Sequence, residues 1–183
     1  MKKFIFPLIF AVIGTAFGLS SCLDEGLSAT FDLKFNTNSL TFKSTSINQG
    51  SFDEISEEIS TDSKDFATYN TSLDKLESAK LKSLKITITA PSGQNFEFLK
   101  NVKVFLEGRG GSKGEQLVAS KTITDGSATV VEMDVESDVN LVDHIKMGAF
   151  KLRAEGVTKT DLNVTDDIKC LLELSCDVTA KAI

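Results

Sequence analysis

The 183-residue sequence contains no tryptophan and a single tyrosine, Tyr69. Proteins that bind sugar rings commonly stack them on exposed Trp or Tyr side chains, which tolerate a wet rim. The scarcity of both residue types therefore disfavours a glycan-binding surface. Nine of the thirteen phenylalanines lie beyond residue 21, where they suit a hydrophobic core.

Histidine is nearly absent as well, since His144 is the only one. A catalytic triad or a metal site needs converging partners, and the neighbouring Asp143 would point elsewhere on a helix. We therefore interpret His144 as a surface residue of a short helix. No glycine-flanked serine of the nucleophile-elbow type is present, and the sequence predicts no catalytic residue, no metal and no cofactor.

The sequence has no excess of basic residues: it contains 20 Lys and Arg residues and 26 Asp and Glu residues, which gives a net charge of −6. Acidity of this kind favours solubility and argues against nucleic acid as a partner. It argues equally against adhesion to anionic lipid through a basic patch.

An apolar run occupies residues 4–19, directly after Lys2 and Lys3. A transmembrane helix needs about 20 apolar residues, and this run, interrupted by Pro7, is shorter. Its positive start, its length and its small-residue ending are typical of a secretory signal peptide. A retained anchor helix is the alternative.

The first of three cysteines follows this run in the sequence Leu19-Ser20-Ser21-Cys22. An aliphatic residue, two small residues and a cysteine resemble the lipobox of bacterial lipoproteins. The resemblance implies that the sulfur of Cys22 receives a diacylglyceryl group and that cleavage leaves Cys22 as the acylated first residue. Two or more acyl chains anchor a protein stably, whereas one gives only marginal binding. A stray cysteine in a secreted chain is the alternative.

The residues after the lipobox are Leu23, Asp24 and Glu25. Inner-membrane retention is associated with an aspartate directly after the lipidated cysteine, and Leu23 stands there instead. The acidic pair behind it resembles the surface-export signal of Bacteroidota outer-membrane lipoproteins. We therefore expect an outer-membrane lipoprotein on the cell surface, with the periplasmic face as the alternative. Its expected partners are outer-membrane lipid, through the acylated Cys22, and a neighbouring outer-membrane protein.

We divide the chain into a signal peptide (1–21), a lipidated tether (22–29) and one domain (30–183). Alternating apolar and polar residues predict a mainly-β fold, a two-sheet Ig-like or jelly-roll-like sandwich of about eight strands, with an eight-stranded barrel as the alternative. The predicted strands lie near 31–35, 40–47, 84–90, 102–106, 116–124, 131–135, 150–154 and 168–182. The pattern also predicts a longer amphipathic helix over about 62–79, a short helix near 139–147 and an acidic loop over 50–63.

The remaining cysteines, Cys170 and Cys176, fall on the apolar face of the last predicted strand. Six residues apart on a straight strand, their sulfurs would lie about 20 Å apart. A disulfide needs α-carbons within about 7 Å, so the two cannot pair with each other. We interpret both as buried, reduced, structural residues.

Two other segments superficially suggest ligand sites. The sequence GRGGSKGE (108–115) has the order Gly-Ser-Lys and joins two predicted strands, so we interpret it as a hairpin loop and not as a phosphate-binding loop. Five acidic residues could gather around Ca²⁺ but lack the spacing of a calcium loop, so a solvated acidic segment is the preferred interpretation. They are Asp53, Glu54, Glu57, Glu58 and Asp62.

These observations favour a lipid-anchored, non-catalytic accessory or interaction lipoprotein. One alternative is an adhesion or pilus-type subunit, because a long terminal strand can complete a neighbour's sheet. The other is a hydrolase whose carboxylates converge only in the fold.

Overall fold

Strands make up most of the chain that the computed structural model describes, residues 28–61, 66–108, 114–159 and 164–183. They are β1 (Ser28–Phe42), β2 (Ser51–Ile55), β3 (Ile59–Ser60), β4 (Leu76–Ala90), β5 (Leu99–Gly108), β6 (Gln116–Thr122), β7 (Val130–Glu132), β8 (Asp134–Val135), β9 (Ala149–Thr158) and β10 (Ile168–Lys181). The short helices are α1 (Ser44–Asn48), α2 (Val142–Lys146) and two 3-10 turns, Leu73–Lys75 and Phe96–Phe98.

The strands form two sheets. One has the order β1-β10-β4-β7, and the other has the order β2-β9-β5-β6-β8, with β3 also paired to β9. Every pairing is antiparallel. The predicted mainly-β, two-sheet sandwich is therefore confirmed. The eight-stranded barrel is wrong, because the described strands belong to two separate sheets and not to one closed sheet.

Phenylalanine rings join the two sheets across the core. The Phe42 ring on β1 meets the Phe52 ring on β2 at 4.6 Å between centroids. Phe35 on β1 meets Phe150 on β9 at 5.3 Å, edge to face. All four side chains are buried, and edge-to-face pairs of this kind add stabilisation beyond the area they bury.

Strand β10 lies between β1 and β4 and uses both of its edges. Its inward side chains are apolar and buried, in strict alternation along the strand. They are Ile168, Cys170, Leu172, Leu174, Cys176, Val178 and Ala180. The sequence predicted this strand and this face, because a period of two places alternate residues on one side of a sheet.

The longer helix predicted over about 62–79 is wrong for the described part of that segment. Residues 66–67 are helical, residues 68–70 form a turn, and β4 begins at Leu76. The helical spacing that misled the prediction joins Phe66, Tyr69, Leu73 and Leu76, which lie in a short turn, in the 3-10 turn Leu73–Lys75 and at the first residue of β4. The start of β4 itself was missed because register shifts with β10 add residues on β4, so its buried side chains recur at intervals of three and two instead of alternating.

Three further boundaries differ from the prediction. The break between the strands predicted near 31–35 and 40–47 is an irregularity within one long strand, β1, whose register with β10 shifts between Thr37 and Leu40. The acidic segment 50–63, predicted as a loop, contains β2 and β3, and both pair with β9. The strand predicted at 131–135 is divided at Met133, because β7 pairs with β4 and β8 pairs with β6 in the other sheet. These changes give ten strands among the described residues instead of eight.

Gly156 in β9 provides a test of this packing. A Cβ at this position would overlap the carbonyl oxygen of Asn101 and lie 2.7 Å from the Phe52 ring. We predict that Gly156→Ala lowers the free energy of unfolding by about 1–3 kcal/mol, because a backbone atom cannot move aside freely. A Cβ at Gly114 would meet nothing within 4 Å, so Gly114→Ala is the matched control. Equal urea midpoints for the two variants would contradict the packing described for β9.

Candidate functional site

The exposed face of the four-stranded sheet carries charged residues of both signs on adjacent strands. We call it the charged face and define it by Asp32, Lys34, Lys82, Lys85, Glu132, Glu173 and Asp177. It follows from the alternation of the strands, since the buried neighbours of these residues point into the core. A shallow depression of about 560 Å³ lies on this face, and Lys34, Lys82, Lys85, Glu132, Glu173 and Ser175 are among its lining residues.

A lysine between two aspartates forms the centre of the charged face. Asp32 on β1 lies directly opposite Asp177 on β10, a like-charged pairing that is unfavourable by itself. Lys82 on β4 offsets it, because its Nζ lies 3.1 Å from Asp32 Oδ1 and 3.2 Å from Asp177 Oδ1. The Asp177 and Lys82 hydrogen bonds lower the pKa of Asp32, and the two aspartates raise the pKa of Lys82.

A second group of charges lies beside the first. Lys85 Nζ is 2.5 Å from Glu173 Oε2, and Lys85 is also the cross-strand neighbour of Glu132 on β7. Lys34 lines the same depression, and its charge contributes to the lowered pKa of Asp32. The ion pairs here are about half exposed, so each contributes little to stability and can be exchanged for contacts with a partner.

Asp32 and Asp177 are one pair of carboxylates that the fold brings together, although the two residues are far apart in the sequence. Sequence reasoning left such a convergence open for the hydrolase alternative but could not locate it. The pair lies on an open face and shares one lysine. This arrangement can bind a charged surface through complementary ion pairs.

The two remaining cysteines lie on the opposite, inward face of β10. Cys170 and Cys176 are both buried and both free thiols. Burial raises the pKa of each thiol to about 12, and the neighbouring Asp177 adds to the shift at Cys176. Neutral thiols in an apolar layer behave as small hydrophobic side chains.

His144 lies in α2, the short helix expected near 139–147, but the interpretation of this residue as a surface residue is wrong. Its side chain is only 7% exposed. The helix packs against β4, β5 and β9 and turns His144 and Ile145 inward. A helix of five residues is too short for its sequence pattern to show which side is buried, and for this reason the sequence misplaced the histidine.

The acidic residues of segment 50–63 do not form a metal site in the described part of the chain, where no group of three or more metal-binding side chains occurs. Asp62 lies outside the described residues.

Asp53 instead belongs to a group of three acidic residues around Arg153. The Nε atom of Arg153 lies 3.5 Å from Asp53 Oδ1 and 2.8 Å from Glu115 Oε1, and its Nη1 atom lies 2.8 Å from Glu155 Oε2. The Arg153 side chain also lies over the Phe105 ring, at 5.0 Å from its centroid. This cluster on the six-stranded sheet is a structural network that the sequence analysis missed.

Several residues singled out from the sequence lie outside the described residues. They are the lipobox Leu19-Ser20-Ser21-Cys22, the sorting residues Leu23, Asp24 and Glu25, and residues 109–113 of the glycine-rich segment. The glycine-rich segment does join the antiparallel neighbours β5 and β6, as predicted. Within the residues that the structure describes, no helix has the length and apolar character required to cross a membrane.

Comparisons with known proteins identify no family. No protein-family model matches the chain, and no curated protein matches it significantly. Similar solved structures include Desmodium yellow mottle tymovirus, at 14% identity and a TM-score of 0.37, covering 100% of this chain and 96% of that chain. A structure of turnip yellow mosaic virus is 15% identical, with a TM-score of 0.31, and the match covers 100% of this chain and 90% of that chain. A structure of mud crab tombus-like virus is 8% identical, with a TM-score of 0.35, and the match again covers 100% of this chain and 90% of that chain. TM-scores below 0.5 carry no inference about topology or function.

The central lysine of the charged face can be tested by titration. We predict that Lys82→Met raises the pKa of Asp32, because the like-charged Asp177 then lies opposite without a compensating ammonium group. A carboxylate with a lowered pKa contributes stability above its unfolded pKa and loses it as the pH falls through its folded pKa. The variant should therefore begin to lose this contribution at a higher pH. Carbon-detected NMR titration measures the shift, Lys80→Met is the control on the same strand, and an unchanged Asp32 titration would contradict the arrangement.

The burial of Cys170 and Cys176 predicts slow thiol chemistry. An aromatic disulfide reagent should modify neither residue rapidly in the native protein, even near pH 10, since the pKa of each thiol is about 12. Both should react at once in denaturant. Replacing both with Ala should lower the free energy of unfolding by about 1–3 kcal/mol in total. Rapid modification of both thiols in the native state would show that the face assignment is wrong.

Proposed function

We propose that this chain is a lipid-anchored, non-catalytic lipoprotein of the outer membrane, displayed on the cell surface, where it acts as an accessory or interaction domain. The observation that carries the proposal is the sequence Leu19-Ser20-Ser21-Cys22 behind an apolar run with a positive start. Acylation at Cys22 supplies the membrane attachment, and Leu23, Asp24 and Glu25 supply the sorting signal.

The start of β1 supports this assignment. Ser28 is the first residue of β1 and already pairs with Lys181 on β10. The sandwich therefore begins six residues after Cys22, a span of about 20 Å at full extension. A short connection of this kind holds the folded domain next to the membrane. Its partner would therefore lie close to the bilayer and would be either lipid or a neighbouring outer-membrane protein.

The charged face supplies an interaction surface. Its half-exposed ion pairs and its mixed signs suit a partner that presents complementary charges. Lys34 lines the depression on this face and adds a positive charge beside Asp32 that such a partner could contact.

A second candidate function is an adhesion or pilus-type subunit. One observation favours it, with β1 and not the terminal strand as the site of strand addition. The terminal strand β10 is paired on both sides within the chain, so its hydrogen bonds are already used. Among the described strands, the long β1 pairs only with β10 and occupies an edge of its sheet. Depressions of about 280 Å³ and 460 Å³ border β1 beside residues 57–60 and 68–69. An incoming strand would therefore add to β1.

Replacement of the lipidated cysteine tests the primary proposal. We predict that Cys22→Ala abolishes incorporation of a fatty-acid probe and shifts the protein out of the acylated membrane fraction, because the thioether can form only at that sulfur. Cys176→Ala is the matched control and should keep the label, since its thiol is buried in the domain. A fatty-acid label that survives Cys22→Ala would contradict the proposal.

A further inference from the structure

One end of the sandwich lies where the chain enters the domain. Ser28, the first residue of β1, pairs with Lys181 near the end of β10. The backbone N–H of Ile183 donates to the Asn70 carbonyl at 2.9 Å, and the Asn70 side chain donates back to the Ile183 carbonyl at 3.2 Å. We call this part the tether end and define it by Ser28, Tyr69, Asn70, Lys181 and Ile183.

The tether end exposes two large side chains with apolar surface. Tyr69 is 42% exposed, and its ring is stacked on the Phe31 ring at 4.1 Å between centroids. Phe31 is fixed in turn by an edge contact with Phe66. Ile183 is 75% exposed. A tyrosine whose ring is held by stacking and whose side chain is partly exposed is suited to the boundary between lipid and water.

The acidic side chains at the tether end are compensated by close partners. Glu77 accepts a hydrogen bond from the Ser28 hydroxyl at 3.0 Å and lies 3.5 Å from the ammonium of Lys181. Asp74 accepts a hydrogen bond from the Ser72 hydroxyl at 2.6 Å. This bond lowers the pKa of Asp74, with smaller contributions from Lys75 and Lys146. Glu77 and Asp74 thus each have a close partner at this end of the domain.

Chain length limits how far the tether end can lie from the bilayer. The six residue steps from Cys22 to Ser28 span about 20 Å at most. The fourteen steps along β1 from Ser28 to Phe42 cover about 45 Å. An acyl chain at Cys22 therefore keeps the tether end close to the headgroups, while the opposite end of an upright sandwich lies far above them.

We propose that the tether end docks on the lipid headgroup layer, with Tyr69 and Ile183 at the interface and the strands directed away from the membrane. This proposal rests on the acylation of Cys22 given above as the proposed function. It assigns the lipid contact to named side chains, of which Tyr69 shares a depression with Asp32 and Lys34 at the border of the charged face.

The chain offers a matched control for this orientation. Val157 is 41% exposed, nearly the same as Tyr69, but it lies opposite Ser51 at the other end of the sandwich. The sequence contains no tryptophan, so a single Trp introduced at either position is the only indole in the protein.

The experiment uses the full acylated protein in vesicles of phosphatidylethanolamine and phosphatidylglycerol that contain a lipid with a nitroxide near the headgroup. Tryptophan fluorescence is compared for Tyr69→Trp, Ile183→Trp and Val157→Trp. Quenching should be about threefold stronger at positions 69 and 183 than at position 157, because interfacial side chains sit within several ångströms of the nitroxide. Ile183→Trp serves as a second reporter at the tether end should Tyr69→Trp fail to fold.

Two results are distinguishable. Stronger quenching at the tether end supports the docking. Equal quenching at both ends, or stronger quenching at Val157→Trp, overturns it. Fatty-acid incorporation at Cys22, measured on the same preparations, reports the proposed function separately, so labelled protein with equal quenching would leave the anchor standing and remove the docking.

Discussion

The architecture depends on the position of β10, which pairs along both edges and buries one whole face. Paired edges satisfy its backbone groups, and the inward face contributes apolar area from seven alternate residues. β1 and β4 form hydrogen bonds with the two edges of β10, and the second sheet packs against the inward side chains of these three strands. The last segment of the chain therefore holds the first strand in place, so the fold is complete only when both ends of the described chain have met.

The same alternation that builds the core builds the surface. Every buried residue on β10 is flanked by outward residues, and adjacent strands bring these into rows across the sheet. This places Asp32 opposite Asp177, with the ammonium group of Lys82 between them. The paired charges of this face remain hydrated. Replacing these half-exposed ion pairs by ion pairs with a partner costs little free energy.

The sequence analysis identified the fold class and the terminal strand because strict alternation is preserved there. It failed over 66–76, where two turns and the start of β4 happen to place apolar residues at helical spacing, and at the first half of β4, where bulges interrupt the alternation. It also divided β1 at an irregularity that the pairing with β10 spans. The charged face could not be foreseen, because Asp32, Lys82 and Asp177 meet only after three distant strands have paired. His144 was misplaced for a related reason: a five-residue helix shows no clear buried side in its sequence.

The proposed lipobox, Leu19-Ser20-Ser21-Cys22, ends only six residues before the sandwich begins at Ser28. The proposed function requires that Cys22 is the acylated first residue of the mature protein. The most direct measurement is mass spectrometry of the N-terminal peptide of the wild-type protein, purified from the outer-membrane fraction of a Bacteroidota host. The account predicts a peptide that begins at Cys22 and carries the mass of a diacylglyceryl group and further acylation. A peptide that retains residues 1–21, or one with an unmodified Cys22, would contradict it.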